Sequence, residues 1–219
     1  MERPISYSLY AFAFVLAVIV FAGGVLLGQL IDQTNQDAIS SEVDQITQKV
    51  EATQLLMLLD ENSSSFCPVY QAQLDSINQD VEKIGYKLTY MEEEKQAYDI
   101  TLKKSYFVLE AESYLLSKKM NERCGENSTL LVYFYSNKNC TECETQGDDI
   151  LEVRDELQGS GNATIKIYSF DGELGSPVAD ALKEQFSVTS YPSIIIDGKL
   201  YPGPLGKDAL RSALSKSKG

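Results

Sequence analysis

Leu130-Leu131-Val132-Tyr133-Phe134-Tyr135 leads into Cys140-Thr141-Glu142-Cys143, and further along comes Val188-Thr189-Ser190-Tyr191-Pro192-Ser193-Ile194-Ile195-Ile196-Asp197-Gly198-Lys199. The first run is unbroken apolar and aromatic, as in a strand covered on both faces. A C-x-x-C just past such a strand places two thiols one helical turn apart. They can close a disulfide, and a helix N-terminus favours the thiolate of the first. The second run opens on a proline, continues as the apolar strand Ile194-Ile195-Ile196, and closes on Asp197-Gly198, a strong hairpin turn.

Working outward from Thr129, the pattern predicts a strand at 130–136, a helix at about 141–158 and a strand at 163–169. A helix at 176–186, strands at 193–197 and 199–202 and a helix at 206–216 follow. The order is βαβαββα, an α/β arrangement with a small mixed sheet and helices on both faces. Strands joined through a helix should be parallel, with a right-handed crossover. The preceding helical stretch, Tyr98 to Met120, packs on this sheet or leads into it.

The C-x-x-C at a strand-to-helix turn, with Ser190-Tyr191-Pro192-Ser193 opening a later strand, resembles the thioredoxin superfamily over residues 125–219. The resemblance implies that Cys140 attacks a partner sulfur and Cys143 resolves the mixed disulfide. It also implies a cis Pro192 beside the active-site pair and a substrate segment aligned by Tyr191 and Pro192. No cofactor is implied. Zinc would need two more ligands, and Cys67 and Cys124 lack a second paired spacing, so no metal is expected. Two departures stand out: Asn139 where many thioredoxins have tryptophan, and Phe134 where they carry a buried aspartate. Glu142 and Glu144 are the nearest carboxylates and the candidates for a proton relay. Glu142 inside the motif opposes thiolate formation by like-charge repulsion, which favours a reductase or isomerase over a strong oxidant.

The 219 residues carry a formal net charge of −13 and no histidine. Scattered lysines among more numerous acids exclude a nucleic-acid partner. Without histidine, Cys/His and Ser/His catalysis are excluded, which leaves thiols, carboxylates and tyrosines. Residues 4–31 hold no charged side chain, and the almost wholly apolar Leu9–Leu27 is long enough to cross a bilayer as a helix of about 20 residues. The competing reading is a cleaved signal peptide, but no A-x-A site follows. Arg3 before the span and Asp32 and Asp37 after it orient the N-terminus to the cytoplasm and the remainder outside. Four cysteines and the sequons at Asn62, Asn127, Asn139 and Asn162 agree with a single-pass protein whose catalytic domain is extracytoplasmic.

Between the anchor (1–32) and the terminal domain (125–219), residues 33–124 read as a helical, coiled-coil-like stalk. Ile39, Val43, Ile46, Val50 and Met57 form one apolar stripe; Tyr70, Leu74, Ile77, Val81, Ile84, Leu88 and Met91 form another. As one straight helix, residues 68–123 would hold Cys67 and Cys124 about 85 Å apart. A disulfide needs Cα atoms within about 7 Å. A turn at Glu92–Ala97 would bring them together, giving a three-helix antiparallel arrangement stapled by Cys67–Cys124. The alternative is one long helix that dimerises, with the two thiols free or cross-linking chains. Three functions follow. One is a membrane-tethered thiol–disulfide oxidoreductase acting on exported cysteine-containing proteins, with an unidentified redox partner. Another is a non-catalytic binding scaffold in which Cys140–Cys143 is a structural staple. The last is a coiled-coil assembly protein whose terminal domain docks a partner.

Overall fold

A computed structural model describes residues 7–59, 66–93, 98–138, 140–161 and 164–216. The expected turn at 60–65 and Asn62, Asn139 and Asn162 fall outside them. By contacts the chain divides into two units, Met1–Glu42 and Val43–Gly219.

The first unit is the leading part of helix α1, which runs Tyr7–Leu59. The apolar stretch Leu9–Leu27 and the polar residues after it belong to this one helix. One expectation is corrected here. No helix among the described residues is long and apolar enough to cross a membrane, so the single-pass placement with an external catalytic domain is not supported.

The second unit contains the end of α1, helices α2 (Phe66–Glu93) and α3 (Ile100–Cys124), and everything after them. Strand β1 (Ser128–Tyr135), helix α4 (Cys143–Gly159), strand β2 (Thr164–Asp171) and helix α5 (Pro177–Phe186) come next. Strands β3 (Ser193–Ile196) and β4 (Lys199–Pro202) and helix α6 (Lys207–Lys216) complete it. The α/β class expected for the chain is also corrected. Helices of 53, 28 and 25 residues outweigh strands of 8, 8, 4 and 4. The described residues are predominantly helical and carry one small mixed sheet.

The sheet order is β2-β1-β3-β4, with β1 parallel to β2 and antiparallel to β3. Asp197 and Gly198 both have positive φ, 45° and 85°, the backbone of the two-residue hairpin between β3 and β4. On one face, Leu131, Tyr133, Ile194 and Ile196 pack with Ile150 and Val153 of α4 and Leu210 and Leu214 of α6. On the other, Phe107 of α3 meets Phe170 edge-on at 5.4 Å, and Phe170 stacks on Phe134 at 5.6 Å. Tyr114 of α3 contacts both Tyr168 and Phe186 of α5.

Helix α3 buries the face that lies between α2 and the sheet, Lys103 and Glu110 included, and keeps Thr101, Ser105, Val108, Leu115 and Lys119 exposed on the other. Asp99 caps its start, accepting from the N–H groups of Thr101 and Leu102, and Gly125, left-handed at φ 64°, ends it. The periodic stripe of α2, Tyr70 to Leu88, is buried as the spacing requires. Lys49 bonds Asp80 at 2.9 Å and the Tyr70 hydroxyl donates to the Thr53 carbonyl at 2.8 Å, so the end of α1 runs antiparallel to α2. α2 and α3 are antiparallel in turn, with Lys103 paired to Glu92 at 2.6 Å near the turn and Cys67 bonded to Cys124 at the other end. The Cα atoms of that disulfide are 5.7 Å apart.

Candidate functional site

Three chain segments meet at one end of the sheet. β1 and β2 are parallel, so their C-terminal ends, Tyr135 and Asp171, lie side by side. β3 is antiparallel to β1, with Ser193 opposite Phe134, so its first residues start at the same end. The chain leaving β1 therefore reaches Cys140 over the edge where Tyr191 and Pro192 enter β3. The C-terminal ends of parallel strands are where sheets of this kind place their ligands.

Cys140 and Cys143 form a disulfide, with Cα atoms 5.4 Å apart. Cys143 is the first residue of α4 and is buried; Cys140 stands one turn ahead of it and is partly exposed. The helix thus begins two residues later than the sequence predicts. The Gln146 N–H reaches the Glu142 carbonyl at 2.9 Å, closing the first turn. No side chain caps this terminus, and the Cys143 N–H reaches back to the Cys140 carbonyl at 3.4 Å.

The loop before Cys140 is tied to the exit of β2. Ser136 Oγ donates to the Glu173 carboxylate, and the Lys138 N–H donates to Ser136 Oγ at 3.1 Å. Lys138 Nζ reaches the Glu173 carbonyl at 3.3 Å, and the Asp171 carboxylate accepts from the Glu173 N–H at 2.9 Å. Tyr133 anchors the other side of the loop, its hydroxyl donating to the Cys143 carbonyl at 2.6 Å. Burial raises the Tyr133 phenol well above its ordinary range, so it stays a neutral donor. Gln146 clamps the segment between β4 and α6, bonding both the N–H and the carbonyl of Leu205.

The Tyr191–Pro192 bond is cis, and Pro192 is buried. The Tyr191 ring lies directly on the backbone of Gly172, where any added Cβ would overlap it. Lys183 of α5 completes this corner, donating to the Gly172 carbonyl at 2.5 Å, pairing with Asp180 at 2.9 Å and bonding Tyr191.

The structure brings together Cys140, Cys143, Tyr191 and Pro192 at one end of the sheet. Glu142 and Glu144 are exposed. Cys67 and Cys124 lie on α2 and α3 as a separate disulfide. Among the described residues no cluster of histidine, cysteine, aspartate or glutamate could hold a metal ion. Sequence reasoning missed Tyr133, Gln146, Gly172 and Lys183. Tyr133 and Gln146 read as plain strand and helix residues, and only the fold aims them at the C-x-x-C turn. Gly172 had a signal, since a glycine after a strand can mark a close approach. Compared with known proteins, the sequence matches no family model and no curated relative.

Proposed function

We propose that the protein is a thiol–disulfide oxidoreductase of thioredoxin-like type that exchanges electrons with protein cysteines through Cys140 and Cys143. The observation that carries this reading is the asymmetry of the pair. One sulfur is partly exposed ahead of an uncapped helix N-terminus and the other is buried in its first turn. An exposed sulfur can be reached by a partner thiolate, and the helix amides stabilise the thiolate that leaves.

In the oxidised form, a substrate thiolate attacks Cys140 Sγ and the Cys143 sulfur leaves as thiolate. A second substrate thiolate then attacks the mixed disulfide. The substrate leaves as a disulfide, and the pair holds two electrons as a dithiol. In the other direction, the Cys140 thiolate attacks a substrate disulfide and expels one substrate thiolate. Cys143 attacks Cys140 Sγ, releases the second and reforms the intramolecular bond. Tyr133 holds the Cys143 backbone throughout, and Tyr191, seated on Gly172, forms the wall along which a substrate segment lies. The acidic pair Glu142 and Glu144 beside the exposed sulfur disfavours its thiolate and supports reductase or isomerase chemistry over strong oxidation.

The test is the reduction potential of Cys140–Cys143 in the whole chain, equilibrated in glutathione or dithiothreitol buffers with thiol trapping. A Cys140→Ser control separates this pair from Cys67–Cys124. A reversible couple between roughly −120 and −270 mV is expected. A bond that resists reduction below about −300 mV would make it a structural staple on a binding scaffold.

A further inference from the structure

A cavity of about 360 Å³ lies between α2 and the free edge of β2, within the size range of small-molecule sites. β2 has a neighbour on one side only, so its outer edge presents backbone groups that need partners. The Gln158 side chain takes the Ile165 carbonyl at 3.0 Å, and the Glu110 carboxyl accepts from the Ser169 N–H. α2 closes the far wall, held to α4 by Arg154–Glu82 at 2.9 Å. Gly85 is part of that wall, and a Cβ there would meet the Tyr106 hydroxyl at 2.5 Å.

Glu110 is 4 % exposed and lines this cavity. Its Oε1 accepts from the Tyr106 hydroxyl, while Oε2 has no hydrogen-bond partner among the described residues. The cations around it are already matched: Lys103 to Glu92, Arg154 to Glu82 and Lys166 to Glu126 at 3.0 Å. Two buried polar atoms on residues lining the cavity are left over, Glu110 Oε2 and Asn78 Nδ2. A buried polar group without a partner costs free energy that a ligand recovers by pairing with it. Tyr86, Tyr106 and Tyr135 line the same space, and Lys103 Nζ already lies 5.6 Å over the Tyr135 ring, so the walls accept a cation beside an aromatic surface.

We propose that this cavity binds a small organic amine, its ammonium group paired with Glu110 and its apolar body lying among the tyrosine rings. The site is independent of the disulfide chemistry and does not rest on it. Burial pushes the Glu110 carboxyl up to about 8, so near neutral pH it carries a proton. An arriving ammonium takes that proton's place and the proton passes to solvent. The groups that set this balance face Glu110 from every side: Glu82 on α2, Tyr106 on α3, Tyr135 on β1, and Tyr168 and the Ser169 N–H on β2.

The probe is 2-phenylethylamine, titrated into the whole chain by calorimetry and by two-dimensional NMR. Its neutral counterpart 2-phenylethanol and the anion 3-phenylpropionate serve as comparisons. The expected result is saturable amine binding with shifts at Gly85, Glu110 and Ser169, and about tenfold weaker binding of the alcohol. Calorimetry in two buffers of different ionisation enthalpy should show net proton release on amine binding near pH 7. Glu110→Gln should weaken the amine about tenfold and leave the alcohol unchanged. Leu151→Trp fills the cavity from α4 and should abolish binding of both while far-UV dichroism stays the same; it decides the matter if Glu110→Gln fails to fold. Equal binding of amine, alcohol and carboxylate, shifts confined to other surfaces, or no saturation by about 10 mM would overturn the proposal.

Discussion

At the residue scale, Cys140 and Cys143 carry different expectations because their exposures differ. Replacing Cys140 with serine should abolish thiol exchange with a disulfide substrate, measured by insulin reduction in the presence of dithiothreitol. Replacing Cys143 should leave the first attack intact and accumulate a mixed disulfide, visible on non-reducing gels. Gly172→Ala should displace the Tyr191 ring from the rim and lower that exchange rate without breaking the disulfide, since a Cβ has no room there. Glu110 makes a prediction of another kind. Burial raises its carboxyl from 4.5 to about 8 against the lowering effect of the Tyr106 and Ser169 hydrogen bonds. Between those values the unfolded chain has lost the proton while the folded chain keeps it. Stability from this group therefore falls as pH rises from about 4.5 to 8, by up to about 1.4 kcal/mol per pH unit, and levels off above. Glu110→Gln should flatten that slope in thermal unfolding followed across the window, and raise the melting temperature most at its alkaline end.

At the element scale, the Cys67–Cys124 disulfide spans 57 positions and joins the start of α2 to the end of α3. In the chain-entropy model, closing a loop of that length contributes roughly 4 kcal/mol. The Cys67→Ser/Cys124→Ser double variant should lose stability of that order in denaturant unfolding while retaining the Cys140–Cys143 couple. An unchanged midpoint would mean that helix packing alone sets the hairpin. The sequence made this pairing legible through distance: a straight helix forbids it, and a turn near residue 93 allows it. It made the stripe of α2 legible too, because apolar residues three and four apart must share a face. The packing of α3 on the sheet was legible as well, from an amphipathic stretch directly before the first strand. The burial of Lys103 and Glu110 was not, because it depends on partners on α2 and β2.

At the scale of the whole molecule, α3 joins the helical layer to the sheet. Phe107 is 1 % exposed and packs against Phe170 on β2, which stacks in turn on Phe134 of β1. Phe107→Ala should cost about 3–5 kcal/mol. Within residues 43–219 the helices and the sheet should unfold together, so probes of helix content and of tyrosine environment should give coincident transitions before and after the substitution. Two separate transitions would show that the helices and the sheet are independent. What the sequence by itself determined is local: the strands from their apolar runs, the hairpin from Asp197-Gly198, the Cys140–Cys143 disulfide from C-x-x-C spacing, and the buried stripe of α2 from its period. Each of these follows from backbone geometry and side-chain periodicity within a few residues. Only the tertiary structure decided that α3 lies between α2 and the sheet, with Phe107 against Phe170. The seat of Tyr191 on Gly172 and the buried Glu110 beside the β2 edge were likewise settled there. Those outcomes depend on which surfaces meet across tens of residues, and a pattern read along the chain carries no information about the far side of a contact.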